Sequence, residues 1–340
     1  MSFHSTSTSR GRKAWSTGIV LALLCTVVVL ISLNTGTIRL SPLAVLRTFL
    51  GQGSPDEAMV LFDFRLPRSL VTMLAGIGLG VSGAILQGLS RNALADPGIL
   101  GLHAGAAFGL ILFVTFFQTM KGPVSLFIPL FTFAGGVLAA LLIVLLAYDR
   151  HRGLIPVRLI LIGIAVAAGF GAVSLFLSLQ LDETTYAFTS RWLVGSVWGR
   201  DWVHVIALLP WIALLVPYAI GQSHSLNAFS LGDELAVGIG TAVRKKRLLL
   251  LAAAVGLSSA SVSMAGGIGF IGLVAPHLAR RLVGPMHQHF MPIAGMIGLV
   301  ILVGADTLGR SLFQPNAIPA GIVVAAVGAP YFLYLLVRTK

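Results

Sequence analysis

The 340-residue sequence has little of the charge that soluble proteins place on their surfaces. Only 10% of its residues are charged, against about 25% in an ordinary soluble domain. So little charge cannot cover a surface against water, and much of it must face lipid. Cysteine occurs once, at Cys25, which excludes an intrachain disulfide and a disulfide-held secreted scaffold. No lysine follows a glycine. The GxxxxGK[ST] phosphate loop is therefore missing even in degenerate form, and hydrolysis of ATP by that route is excluded. There is no HExxH pair and no nucleophile–base arrangement, so nothing reads as an enzyme. His287 and His289 lie close together with no carboxylate behind them, and they read as a polar loop rather than as metal ligands.

What is present is apolar. Hydrophobic residues make up 56% of the chain. A bilayer core of about 30 Å takes about 20 apolar residues per helix. Runs bounded by polar or breaker residues predict spans near 17–34, 66–89, 98–118, 124–147, 157–180, 202–220, 244–264, 268–283, 290–308 and 317–337. This describes an all-α, polytopic membrane protein of about ten transmembrane helices, with 1–16 as a tail and 17–340 as one domain. The eighth run is short and ends at Pro276, His277, Arg280 and Arg281, as a partial span would. Near the N-terminus Arg10, Arg12 and Lys13 precede an apolar run, but no small-residue cleavage site follows. That run reads as a retained first helix, not a secretory signal.

The net charge of +12 does not point to nucleic acid. Lysines and arginines sit at the ends of apolar runs, where head groups and the positive-inside bias account for them. With ten spans and the N-terminus inside, 15 of the 23 fall in cytoplasmic segments and 8 outside. The inner set includes Arg150, Arg152, the cluster Arg244, Lys245, Lys246 and Arg247, and Lys340; the outer set includes Arg39 and Lys121. Both termini are then cytoplasmic, and dropping one span would move the 244–247 cluster outside. The outer segment 181–201 holds Arg191, Trp192 and Trp198, which fits an interfacial helix. The inner segment 221–243 is moderately polar, helix-compatible and punctuated by glycine, as short helices lying on a cytoplasmic surface would be.

Two further readings concern the spans themselves. Gly76, Gly80 and Gly83 fall near one helix face. Small residues so spaced let helices approach closely, either within the bundle or along a path or subunit seam. No acid lies in mid-span; Asp96 and Asp306 come nearest. Ion-coupled secondary transport, which relies on intramembrane ionisable groups, lacks its usual chemistry here.

Six blocks, in order, carry a resemblance. The first runs from Arg65-Leu66-Pro67-Arg68 through Leu74-Ala75-Gly76, Ser82-Gly83-Ala84 and Gln87 to Arg91-Asn92-Ala93-Leu94-Ala95-Asp96-Pro97. The second is Trp192-Leu193-Val194-Gly195-Ser196, and the third Leu231-Gly232-Asp233-Glu234-Leu235-Ala236 through Gly240. The fourth is Gly267-Ile268-Gly269-Phe270-Ile271-Gly272 through Pro276-His277 and Arg280. The last two are Gly304-Ala305-Asp306 with Arg310, and Ile318-Pro319-Ala320-Gly321 with Gly328-Ala329-Pro330. Over about residues 60–340 the chain resembles the FecCD-type permeases of bacterial ABC importers, which carry ferric siderophores, haem and cobalamin.

The resemblance implies a type II importer permease of ten helices in the bacterial cytoplasmic membrane, with no cofactor. Its implied partners are ATP-binding ABC subunits, a second permease (a copy or a paralogue) and an extracytoplasmic substrate-binding protein. The implied cargo is an iron(III)–siderophore-type chelate. Haem or cobalamin is the alternative, and an ion-coupled transporter a more distant one. By position, Leu231, Gly232, Asp233, Glu234, Ala236 and Gly240 match the segment that docks on the ATPase. Arg65, Arg68 and Arg310 match external arginines that meet acids of the binding protein, and Asn92 and Leu94 match a cytoplasmic gate. Two positions depart from the family pattern: Ala93 stands where proline is usual, and Ala317 where glutamate is.

Overall fold

In hydrocarbon the backbone must satisfy its own hydrogen bonds, and a helix does so within one segment. The apolar runs accordingly form helices. The structure, a computed structural model, describes residues 3–36, 40–117, 124–150, 153–312 and 317–338. Of the basic residues that set the orientation, Arg39, Lys121, Arg152 and Lys340 lie outside them.

The chain begins with α1 (Phe3–Asn34), α2 (Pro42–Phe49) and α3 (Pro55–Ala58). A π-helical stretch, Met59–Arg65, then leads without a break into α4 (Leu66–Ser90). Next come α5 (Leu102–Phe116) and α6 (Val124–Ala147). A small antiparallel hairpin, β1 (Tyr148–Asp149) and β2 (Gly153–Leu154), pairs Tyr148 with Leu154. After it follow α7 (Pro156–Ser178), α8 (Glu183–Leu193) and α9 (Trp202–Gly221). Two short helices, α10 (Ser223–Ser230) and α11 (Asp233–Gly238), precede α12 (Val243–Ala265). The chain closes with α13 (Ile271–Val283), α14 (His287–Ser311) and α15 (Ala320–Arg338).

Among the described residues, 7 helices are long and apolar enough to cross a membrane. Leu102–Phe116 and Ala320–Tyr334 are apolar but shorter. α13 has 13 residues, about 20 Å of helix, which falls short of a bilayer core of about 30 Å. Its entry is irregular, with Phe270 in the left-handed region at φ 66°.

α4 and α12 form the centre. Their most apolar windows are 78% and 83% buried, whereas those of α1 and α7 are 17% and 11% buried. The glycine face of α4 explains its depth. A Cβ on Gly83 would stand 1.9 Å from the Gly272 carbonyl oxygen, and one on Gly76 would stand 2.5 Å from that of Gly298. Backbone therefore packs directly on backbone against α13 and α14, which assigns the stripe to packing within the bundle. Ser82 adds a hydrogen bond across the core to the Ala254 carbonyl at 2.8 Å.

One expectation is corrected. His287 is not part of a polar loop: it opens α14 and is buried. Its backbone N–H donates to Asn227 Oδ1 at 3.0 Å, and its Nδ1 lies 2.8 Å from the same oxygen. The neighbouring α10 supplies the partner that makes this burial tolerable, and nothing local in the sequence marks that.

Candidate functional sites at the two ends of the bundle

Arg65 and Arg68, at the entry of α4, gather at one end with Arg310 from the last turn of α14. Arg68 forks onto Asp306, with Nε at 3.1 Å from Oδ2 and a terminal nitrogen at 2.6 Å from Oδ1. Arg310 Nε lies 3.5 Å from the same carboxylate. The last carbonyls of α1 have no donor within their own helix. Arg65 donates to the Leu33 carbonyl at 2.5 Å. Arg310 donates to those of Ser32 at 2.5 Å and Thr35 at 2.6 Å. Cations at a helix C-terminus also meet the negative end of its dipole. Arg65 and Arg310 thus cap α1, while Arg68 keeps 19% of its side-chain surface open. Three arginines against one aspartate leave a net charge of +2 in the cluster.

The opposite end is built around Asp233, the first residue of α11. Arg247 holds its carboxylate in two-pronged fashion, at 3.0 and 2.8 Å. Arg91 binds Oδ1 as well and donates through Nε to the Phe229 carbonyl at 2.7 Å. The Arg247 hydrogen bond is the largest cause holding the Asp233 carboxyl below the usual carboxylate range; its charge and that of Arg91 add to it. The Arg247 guanidinium lies over the Phe229 ring at 5.4 Å and donates to the Leu154 carbonyl at 3.1 Å. One acid thus joins the ends of α4 and α12 to the entry of α11.

The segment these residues anchor is unusual in what it exposes. Ala236 is fully buried against the bundle, while Leu231, Leu235, Val237 and Ile239 are 58 to 64% exposed. Four large apolar side chains in one short segment form a face of the kind that partners cover. Gly232 supplies the turn at φ 108°, a conformation that suits glycine. Glu234 and Gly240 are also exposed.

Asn92 and Leu94 sit in a tight turn next to this anchor. Asn92 Oδ1 accepts the Leu94 N–H at 2.9 Å, and Arg91 before it adopts φ 51°. The structure therefore brings the Asn92–Leu94 turn and the 231–240 segment together through Arg91, a link that their separation in sequence hides. In the sequence Arg247 is legible only as a topology marker and Arg91 only as the start of a motif, neither as a partner of Asp233. The available signal was the scarcity of acids, which leaves Asp233 few competitors for their charge. Two motif residues also meet: Arg280 donates to Gln87 Oε1 at 2.8 Å and lies over the Phe290 ring at 4.8 Å. Arg65, Arg68 and Arg310 come together as a group, remote from the Asp233 cluster.

Residues 24–338 match the FecCD transport family. The iron(3+)-hydroxamate import system permease protein FhuG of Bacillus subtilis (strain 168) is 47% identical, over 94% of this chain and 96% of its own length. The iron-uptake system permease protein FeuC of the same organism is 42% identical, over 93% of this chain and 96% of its own. Among solved structures, an inward-facing metal-chelate type ABC transporter superposes with a TM-score of 0.82 at 30% identity, covering 94% of this chain and 98% of that one.

Proposed function

The chain belongs to the FecCD transport family, and from that premise we propose that it is the membrane-spanning permease subunit of an ATP-driven importer for an iron(III)–siderophore-type chelate. Relatives named for iron–hydroxamate import and iron uptake, at 47% and 42% identity, support that cargo. The chain makes a path through lipid as one domain of ten spans, with both termini in the cytoplasm and a second permease beside it. An extracytoplasmic binding protein delivers the chelate, and ATP-binding subunits drive passage.

The single observation that carries this reading is the 231–240 segment. It presents exposed Leu231, Leu235, Val237 and Ile239 outward and ties its root through Asp233 to the ends of α4 and α12. A face that ends in solvent, yet is fastened to the core, suits a surface on which an ATPase pushes and pulls. ATP shifts the permease only through its differential affinity for the two states of the assembly. Leu231, Gly232, Asp233, Glu234, Ala236 and Gly240 form this coupling element, and Asn92 and Leu94 the adjoining gate. At the outer end the net-positive cluster of Arg65, Arg68 and Arg310 attracts acids of the binding protein. Arg68 is the most open of the three as a direct contact.

Reconstitution tests the reading. Proteoliposomes carrying the permease, its ATPase and the binding protein are expected to accumulate a radiolabelled ferric trihydroxamate only with ATP. Accumulation at the same rate without the ATPase would overturn it.

A further inference from the structure

The hairpin between α6 and α7 gathers positive charge from three elements. Its strands hold 2 residues each, too few to stand without support. The Arg244 guanidinium, from the first turn of α12, lies over the Tyr148 ring at 5.2 Å. Arg158, from the first turn of α7, reaches Asp149 at 3.9 Å and keeps 47% of its side chain exposed. Arg150 follows Asp149 and is exposed, as is Lys245 beside Arg244. Among the described residues, these four cations against the one acid Asp149 leave a net charge of +3. Asp233, which Arg247 links to the hairpin at the Leu154 carbonyl, is already held by Arg247 and Arg91.

Apolar surface begins one turn into the membrane from these groups. Leu248 and Leu249 stand four residues beyond Arg244 and Lys245, on the same faces of α12, and Leu161 stands three beyond Arg158; all are exposed. On α6, Leu138, Leu141, Leu142, Leu145 and Leu146 are 36 to 72% exposed. Their spacing of i, i+3, i+4, i+7 and i+8 makes one stripe. It runs about 12 Å down to the hairpin, close to the depth of one leaflet, which is half of a core of about 30 Å.

An apolar stripe that ends in clustered cations matches the form of a phospholipid, with acyl chains along the helix and phosphate at its end. A soluble partner does not cover leucines at membrane depth. A second copy of this chain has little to offer the cations: of the described acids at this end, Asp96 is buried, while Asp149 and Asp233 already face arginines.

We propose that the hairpin end of α6, α7 and α12 is a binding site for an anionic glycerophospholipid, its phosphodiester held by Arg150, Arg158 and Arg244 and its acyl chains laid on the leucine stripe of α6. Planar guanidinium forks suit phosphate oxygens. The lipid belongs to the leaflet at this end, the cytoplasmic one in the orientation proposed above. By offsetting the net charge it steadies a hairpin that its own backbone barely holds. The site needs only that the chain sits in a bilayer, so it goes beyond the permease reading.

Native mass spectrometry of the purified full chain, titrated with phosphatidylglycerol or with phosphatidylcholine of the same acyl chains, tests the site. Wild type is expected to bind phosphatidylglycerol roughly tenfold more tightly. The combination of Arg150→Gln, Arg158→Gln and Arg244→Gln is expected to lose that preference and to keep its unfolding temperature in detergent. Removing as much charge from α1 and α13, by Arg12→Gln, Lys13→Gln and Arg281→Gln, is expected to leave the preference in place. Glycerol 3-phosphate at the same concentration is expected not to displace the lipid. Equal binding of the two lipids by wild type would overturn the proposal whether or not the first variant folds. So would an unchanged preference in that variant, or an equal loss in the second. Displacement by glycerol 3-phosphate would make this a site for a free phosphate ester. Release of the lipid on adding the ATPase, or on assembly of two copies, would give the patch to a protein. Either result overturns the lipid assignment. None of these readouts involves transport, so their failure leaves the permease reading untouched.

Discussion

At the scale of single residues, the structure places its buried charge where one partner answers several needs. Asp306 neutralises Arg68 and Arg310 while those arginines serve the end of α1. Removing one member of a buried pair leaves the other charge uncompensated, at about 3–5 kcal/mol. Asp306→Ala is expected to lower the thermal stability of the purified protein by that order, measured by unfolding in detergent. Asp233 behaves differently because it is half open to solvent. Its carboxyl is held below the usual range, chiefly by the Arg247 hydrogen bond. A group with a depressed pKa stabilises the folded arrangement above its ordinary value and loses that contribution as pH falls through the folded value. The 231–240 segment is therefore expected to stay docked from pH about 7 down to about 4 and to loosen only below. A spin-label distance between positions 235 and 282 reads the change, and Asp233→Asn is expected to loosen the segment at every pH.

At the scale of elements, α4 is positioned by what its face omits. Gly83 meets the Gly272 carbonyl, and neither backbone can retreat without unpacking a neighbour. Gly83→Leu is expected to cost about 3 kcal/mol or more through overpacking, seen as loss of monodisperse protein or a lowered unfolding temperature. Leu273→Met, which keeps volume, is expected to cost under about 1.5 kcal/mol. The same physics separates α4 from α7. α4 is fixed backbone to backbone, whereas the most apolar window of α7 is only 11% buried. The short helices α10 and α11 form a third kind of element. α11 has 6 residues, too few to be stable alone, and depends on Asp233 and buried Ala236 to hold its place.

At the scale of the whole molecule, the two charged clusters lie at opposite ends, and their proposed roles are tested separately. Arg68→Gln, which leaves Asp306 beside Arg310 and Arg65 capping α1, is expected to weaken association with the binding protein roughly tenfold, measured by titration in nanodiscs. ATP hydrolysis by the assembly should persist. Gly232→Val forces a branched residue into positive φ and is expected to uncouple hydrolysis from uptake, measured as chelate moved per ATP. Normal coupling in that variant would remove segment 231–240 from the transmission path.

The sequence by itself determined that this chain lives in lipid, where its helices fall, and which residues mark its family. Hydrophobic run length and the placement of charge are local quantities, and the bilayer reads them directly. The short 221–243 helices were legible for the same reason, as a polar interval between long apolar runs. Only the tertiary structure decided that the α4 glycines pack on α13 and α14, that His287 is buried, and that Arg91 and Arg247 share Asp233. Those outcomes depend on which helix ends become neighbours. An ion pair is set by distance across the bundle, which no window along the chain contains.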